Sequence, residues 1–160
     1  MKLYLRDLTD DKDVELDMPY EECPLTKGHE YIIQDTDDCP FNLSELDSID
    51  QANVLLKKLE DSRYTKAEID AIGSSYLFSE VQEAFEKSEE PFEVIEIESF
   101  DDEDCGYELY ENGISYLPFE VPEEAVDYIR WEQNWFAAES DGWRKSSDNH
   151  EESLCLLKKY

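Results

Sequence analysis

Acidic residues crowd this chain from end to end. There are 43 Asp and Glu against 14 Lys and Arg in 160 residues, a net charge of −29. Residues 1–43 hold 12 acids and 4 bases, residues 44–90 hold 12 and 5, and residues 91–160 hold 19 and 5. The longest acidic run, Asp101 to Asp104, is only four residues. Like-charge repulsion on this scale opposes compaction. Any fold must therefore keep its carboxylates at the surface and find strong apolar contact beneath them. The contact is available: 40% of residues are hydrophobic, and 10 Tyr, 7 Phe and 3 Trp are present. Disordered acidic chains are poor in aromatics, so this composition predicts a folded body with an acidic coat, not a neutral domain with an acidic tail.

Several classes are disfavoured. No apolar run approaches the roughly 18 residues of a membrane span, and Met1 to Arg6 is too polar for a signal peptide. Cys23, Cys39, Cys105 and Cys155 have no paired spacing, which suits a reduced, cytoplasmic protein. Glycine-rich phosphate loops, GxSxG and HExxH are missing, and His29 and His150 are isolated in sequence, so no enzyme activity and no cofactor are expected. A calcium loop starting at Asp101 would place Glu103 and Gly106 correctly but Cys105 and Asn112 at ligand positions that need oxygen donors and a bidentate Glu. Asp35, Asp37 and Cys39 fail similarly, so no metal is expected. Lys57-Lys58, Arg144-Lys145 and Lys158-Lys159 each sit among acids, which argues against direct nucleic-acid binding.

Three pieces can be distinguished, giving an α+β chain with small mixed subdomains flanking a central short-helix bundle. Residues 1–43 read as a β-rich subdomain, with strands at Lys2–Arg6 and Glu30–Gln34 and the run Asp35 to Asp38 ending the second. Residues 44–90 read as helical. Ile49, Ala52, Leu55, Leu56 and Leu59 share one helix face, and Ser48/Gln51, Thr65/Glu68 and Ser79/Gln82 form three start signals. The outward faces would carry Asp50, Glu60, Asp61, Asp70, Glu83, Glu86 and Glu90. Residues 91–160 read as mixed: a strand at Phe92–Ile97, a helix from Pro122 to about Ala138, and a last strand at Leu154–Leu157. In that helix Ala125, Ile129 and Phe136 mark one stripe. Tyr128, Trp131 and Trp135 mark a second, a candidate contact for a second copy of the chain. Tyr107–Tyr116 fits either a hairpin through Asn112-Gly113 or a short helix capped by Gly113.

The partner of such a surface should be positive, a protein whose own ligand is nucleic acid. Duplex DNA carries one charge per roughly 1.7 Å, so 29 charges match roughly 50 Å of duplex. A compact chain of this length is only about 40 Å wide, so an elongated fold would approach the DNA density best. The expected contact acids are those of the central helices together with Asp101, Asp102, Glu103, Asp104, Glu123, Glu124, Asp127 and Glu132. A salt-adapted or structural acidic protein with no specific target is the alternative from another class.

Two stretches resemble the ArdA family of antirestriction proteins. One runs Glu30-Tyr31-Ile32-Ile33-Gln34-Asp35, then Pro40-Phe41, then Ser48-Ile49-Asp50-Gln51-Ala52-Asn53 and Leu55, Leu56 and Leu59. The other is Val121-Pro122-Glu123-Glu124-Ala125-Val126-Asp127-Tyr128-Ile129-Arg130-Trp131-Glu132-Gln133. Arg130 and Trp131 replace an acid and a Tyr of the family pattern. The resemblance implies an elongated three-subdomain α+β homodimer that mimics DNA. It implies a bacterial-cytoplasm partner, a type I restriction–modification complex, whose DNA groove is occupied. It favours a helix over 104–111. A divergent member could instead block another defence nuclease, such as a CRISPR effector, which also holds nucleic acid in a basic channel.

Overall fold

A computed structural model describes residues 1–45, 47–146 and 154–160. The chain forms two compact units, Met1–Glu90 and Pro91–Tyr160. Among the described residues are six helical segments and two three-stranded antiparallel sheets, an α+β fold. No helix among them is long and apolar enough to cross a membrane.

In the first unit, β1 (Lys2–Asp7), β2 (Lys12–Asp17) and β3 (Tyr31–Asp37) pair in the order β2-β1-β3. Alternation sends Leu3, Leu5 and Asp7 of β1 inward, where Leu16 and Ile33 join the two leucines in the core. Two expectations change here. Lys12-Asp13-Val14-Glu15-Leu16-Asp17 lies outside the two strands expected from the sequence but is a strand. Charge drowns its alternation, yet cross-strand pairing relieves that charge: Arg6 faces Asp13 at 3.0 Å, and Lys2 faces Asp17 at 3.9 Å. The acids after Gln34 were expected to end the strand, but β3 continues to Asp37. It is an edge strand, so Asp35 and Asp37 point to water, and the positive φ of Asp38 ends it.

The helices of this unit are α1 (Ile49–Asp61), α2 (Lys66–Ser75) and α3 (Phe78–Lys87). Ser48 and Thr65 cap the first two by accepting from the amides of Gln51 and Glu68, as the start signals predict. The third signal is displaced. Helix α3 starts at Phe78, and the Glu80 carboxylate accepts from the Leu77 amide; the early start buries Phe78 against Phe41 at 5.5 Å between ring centroids. Gly73 lets the Pro40 carbonyl lie where a Cβ would stand, 1.5 Å away.

In the second unit, β4 (Phe92–Ile97), β5 (Trp143–Lys145) and β6 (Leu154–Lys159) pair in the order β4-β6-β5. The central strand buries three successive residues, Cys155, Leu156 and Leu157, so both its faces are covered. Helices α4 (Asp102–Glu111) and α5 (Glu132–Ser140) pack with the sheet around Leu109, Trp135, Ala138 and Trp143. Helix α4 settles the choice between hairpin and helix. It ends with Gly113 donating to the Tyr110 carbonyl and Ile114 donating to that of Leu109, with Gly113 at φ +81°, the double closure of a Schellman motif.

The helix expected from Pro122 to Ala138 is two pieces. A 3₁₀ helix covers Glu123–Tyr128, Ile129 is extended, and α5 starts only at Glu132. The Trp131 indole donates to the Val126 carbonyl at 3.1 Å. That carbonyl is the acceptor the Arg130 amide would need to continue an α-helix, and the bond turns Trp131 inward.

Candidate partner-binding surface

Most of the acids named from the sequence reach water. In the first unit, Glu60 and Asp61 close α1, and Glu83, Glu86 and Glu90 lie on or just after α3; all five are exposed. Asp50 is exposed in the first turn of α1 but accepts from the Tyr20 hydroxyl at 2.6 Å. Burial, and then that bond, raise the Tyr20 pKa above the ordinary phenol range. Asp70 was expected on an outward face but is half-buried on α2.

In the second unit, Asp101, Glu103 and Asp104 are exposed at the start of α4, where the helix dipole favours carboxylates. Asp102 is half-buried and held by Lys145 at 2.7 Å. Glu123, Glu124 and Asp127 are exposed on the 3₁₀ helix, and Glu132 is half-buried in the first turn of α5.

The candidate apolar contact comes apart. Tyr128 is 86% exposed, but Trp131 is 4% and Trp135 1% exposed. Trp131 packs against the tilted ring of Tyr110 at 4.6 Å between centroids, and Trp135 lies in the core between the helices and the sheet. These tryptophans are interior residues of the second unit, because the break before α5 rotates the expected second stripe into two different settings. Phe136 from the other stripe is 45% exposed.

Many basic side chains are engaged by carboxylates on this surface. Lys2, Arg6, Lys57, Arg63, Lys66, Lys87, Lys145 and Lys158 each lie within ion-pair distance of a carboxylate. Neighbouring acids hold the pKa values of Lys2, Arg6 and Lys87 above their ordinary values. These pairs are mostly solvent-exposed and each contributes little to stability, but they shield the cations and leave the excess carboxylates facing outward.

The family model for antirestriction protein (ArdA) matches residues 8–142. The chain belongs to the ArdA family. No curated protein and no solved structure matches it. The ArdA match spans both units and every acid named above. It also reaches part of a group the sequence hides: Asp7 stands just before the match, and Asp10 and His29 lie within it. The Asp7 carboxylate has no solvent exposure. Its Oδ1 accepts from the amides of Thr9 and Asp10, and its Oδ2 lies 2.9 Å from His29 Nδ1. Burial alone would push its pKa up, but the bonds from His29, Asp10 and Thr9 outweigh burial and hold it below the ordinary value. A run of acids gives no sign of which one turns inward; the inward phase of β1, with Leu3 and Leu5, was the available signal. His150 lies outside the described residues.

Proposed function

We propose that this antirestriction protein inhibits a type I restriction–modification enzyme in the bacterial cytoplasm, without catalysis of its own, by filling the enzyme's DNA-binding groove with an array of carboxylates. The observation that carries the reading is the exposure of acids across both units while carboxylates hold most of the bases. A DNA groove is lined by cations spaced for phosphates, and fixed surface carboxylates answer it without the cost of bending a duplex. The contact acids are Asp50, Glu60, Asp61, Glu83, Glu86, Glu90, Asp101, Glu103, Asp104, Glu123, Glu124 and Asp127, with half-buried Asp70, Asp102 and Glu132 at the margin. The proposal includes a homodimer, whose apolar contact would draw on exposed Tyr128 and Phe136 and not on the buried tryptophans.

The test is a competition titration. Purified type I enzyme is bound to labelled cognate duplex, and the protein is added. Displacement of DNA with matching loss of cleavage is expected. Unchanged DNA binding in the presence of saturating protein would overturn the groove-filling mechanism. Displacement from a CRISPR effector alone would move the same mechanism to another target.

A further inference from the structure

The carboxylates of Asp7 and Asp10 and the imidazole of His29 converge where the β1–β2 turn meets the loop before β3. The three ligand atoms, one per residue, all lie within 4.8 Å of one another. Asp7 Oδ2 is 2.9 Å and Asp10 Oδ2 is 3.8 Å from His29 Nδ1. Bonds of roughly 2.1 Å to a tetrahedral ion imply ligand separations of roughly 3.4 Å, a value between the two observed. Their types, two carboxylates and one imidazole, suit zinc and its neighbours better than calcium or magnesium, which prefer oxygen alone.

Two further features point to a cation. The first is charge. Asp7 is wholly buried, and buried carboxylates are found paired or on metal ions. The ammonium nearby, Lys12, reaches Asp10 at 3.8 Å and forms no ion pair with Asp7. The second is rigidity. Asp7 Oδ1 is already oriented by two amides, the outer-shell support that metal ligands usually have. Both sides of the site are tied together: the Leu8 amide donates to the Glu30 carbonyl at 2.8 Å, and the Glu30 amide donates to Thr9 Oγ1 at 3.1 Å. The His29 amide donates to the Thr26 carbonyl. Half-exposed Asp10 leaves the outer side open for entry and for a water as fourth ligand.

We propose that Asp7, Asp10 and His29 form a site for one zinc-class divalent ion, which pins the β1–β2 turn to the loop before β3. The ring would hold its proton on Nε2 and offer Nδ1 to the metal. Two carboxylates neutralise the ion and end their own repulsion, so binding should also stabilise the first unit. None of the three residues is among the acids proposed to fill the groove.

The measurement is calorimetric titration of the full chain with Zn²⁺, in excess magnesium to occupy the acidic coat, together with the thermal midpoint with and without zinc. One site per chain and a raised midpoint are expected. Asp10→Asn keeps the Asp7–His29 bond and the turn, and His29→Ala removes the nitrogen ligand. Each should weaken zinc by roughly a hundredfold or more, while His150→Ala should bind as wild type does. Zinc uptake that is unsaturable in magnesium, or unchanged in both site variants, would overturn the proposal. It would leave an imidazolium as the counter-charge of Asp7.

Discussion

Asn134 has no solvent exposure, and it stitches together parts of the second unit that no backbone ladder joins. Its Nδ2 donates to the carbonyls of Gly106 and Ile114, at 2.9 and 3.3 Å, and its Oδ1 accepts from the Tyr116 amide at 2.6 Å. Asn53 does the same in the first unit, bonding both the amide and the carbonyl of Tyr20. Replacing Asn134 with Leu strands buried polar groups, each costing about 1–3 kcal/mol. Urea unfolding of Asn134→Leu should show a loss of about 3 kcal/mol, and a loss within error of zero would refute the stitch. Asp141 offers a pH test. The Lys158 ammonium, then the Tyr116 hydroxyl, both bonding its carboxylate at 2.6 Å, hold its pKa below the ordinary 3.8. A carboxyl lowered in the folded state stabilises it above that ordinary value, and the contribution disappears as pH falls below it. The gap in urea midpoint between wild type and Asp141→Asn should therefore be present at neutral pH and close below pH 3.8.

Helix α4 depends on two glycines for different reasons. A Cβ on Gly106 would lie 1.8 Å from the Trp131 carbonyl oxygen and 3.1 Å from the Trp135 amide nitrogen. This bare spot is what allows α4 to lie directly on the start of α5. A Cβ on Gly113 would meet nothing within 4 Å, but φ there is +81°. Gly106→Ala should thus cost at least about 3 kcal/mol, as for an overpacked core. Gly113→Ala should cost only the conformational penalty of roughly 1–2 kcal/mol. Chemical denaturation followed by tryptophan fluorescence would rank the two, and equal losses would contradict this account.

At the scale of the whole molecule, charge is expected to act collectively. No exposed acid stands out by position, and many are exposed in both units. Glu83, already paired with Lys87 at 2.6 Å, illustrates the point: Glu83→Gln should change inhibition by less than about 1 kcal/mol. Abolished inhibition in a folded Glu83→Gln protein would place a specific contact there. Salt separates the protein from its rival. DNA owes much of its affinity to released counterions, which is why its binding falls steeply between about 50 and 200 mM salt. A protein whose carboxylates alternate with bases and apolar surface condenses fewer counterions. Its advantage over DNA in competition for the enzyme should grow over that range. A shrinking advantage would mean simple polyanion attraction.

Local chemistry decided much of this fold in advance. The strand at Phe92–Ile97, the caps Ser48 and Thr65, the apolar face of α1 and the final strand follow from periodicity and capping, which act within a few residues and survive the charge. The acidic coat was also legible, because 43 acids cannot be buried. Longer-range contact decided the rest. Strand β2 exists because cross-strand pairs relieve its acids. The Pro122–Ala138 stretch breaks because one indole takes a backbone acceptor. Trp131 and Trp135, apolar stripe residues on a continuous helix, become interior residues once the helix is cut. Asp7, one acid among many in sequence, is buried because the strand phase of β1 points it inward and two amides and an imidazole await it. Periodicity can say that a residue is apolar or charged; only the tertiary arrangement supplies the particular partner that turns it inward or leaves it in water.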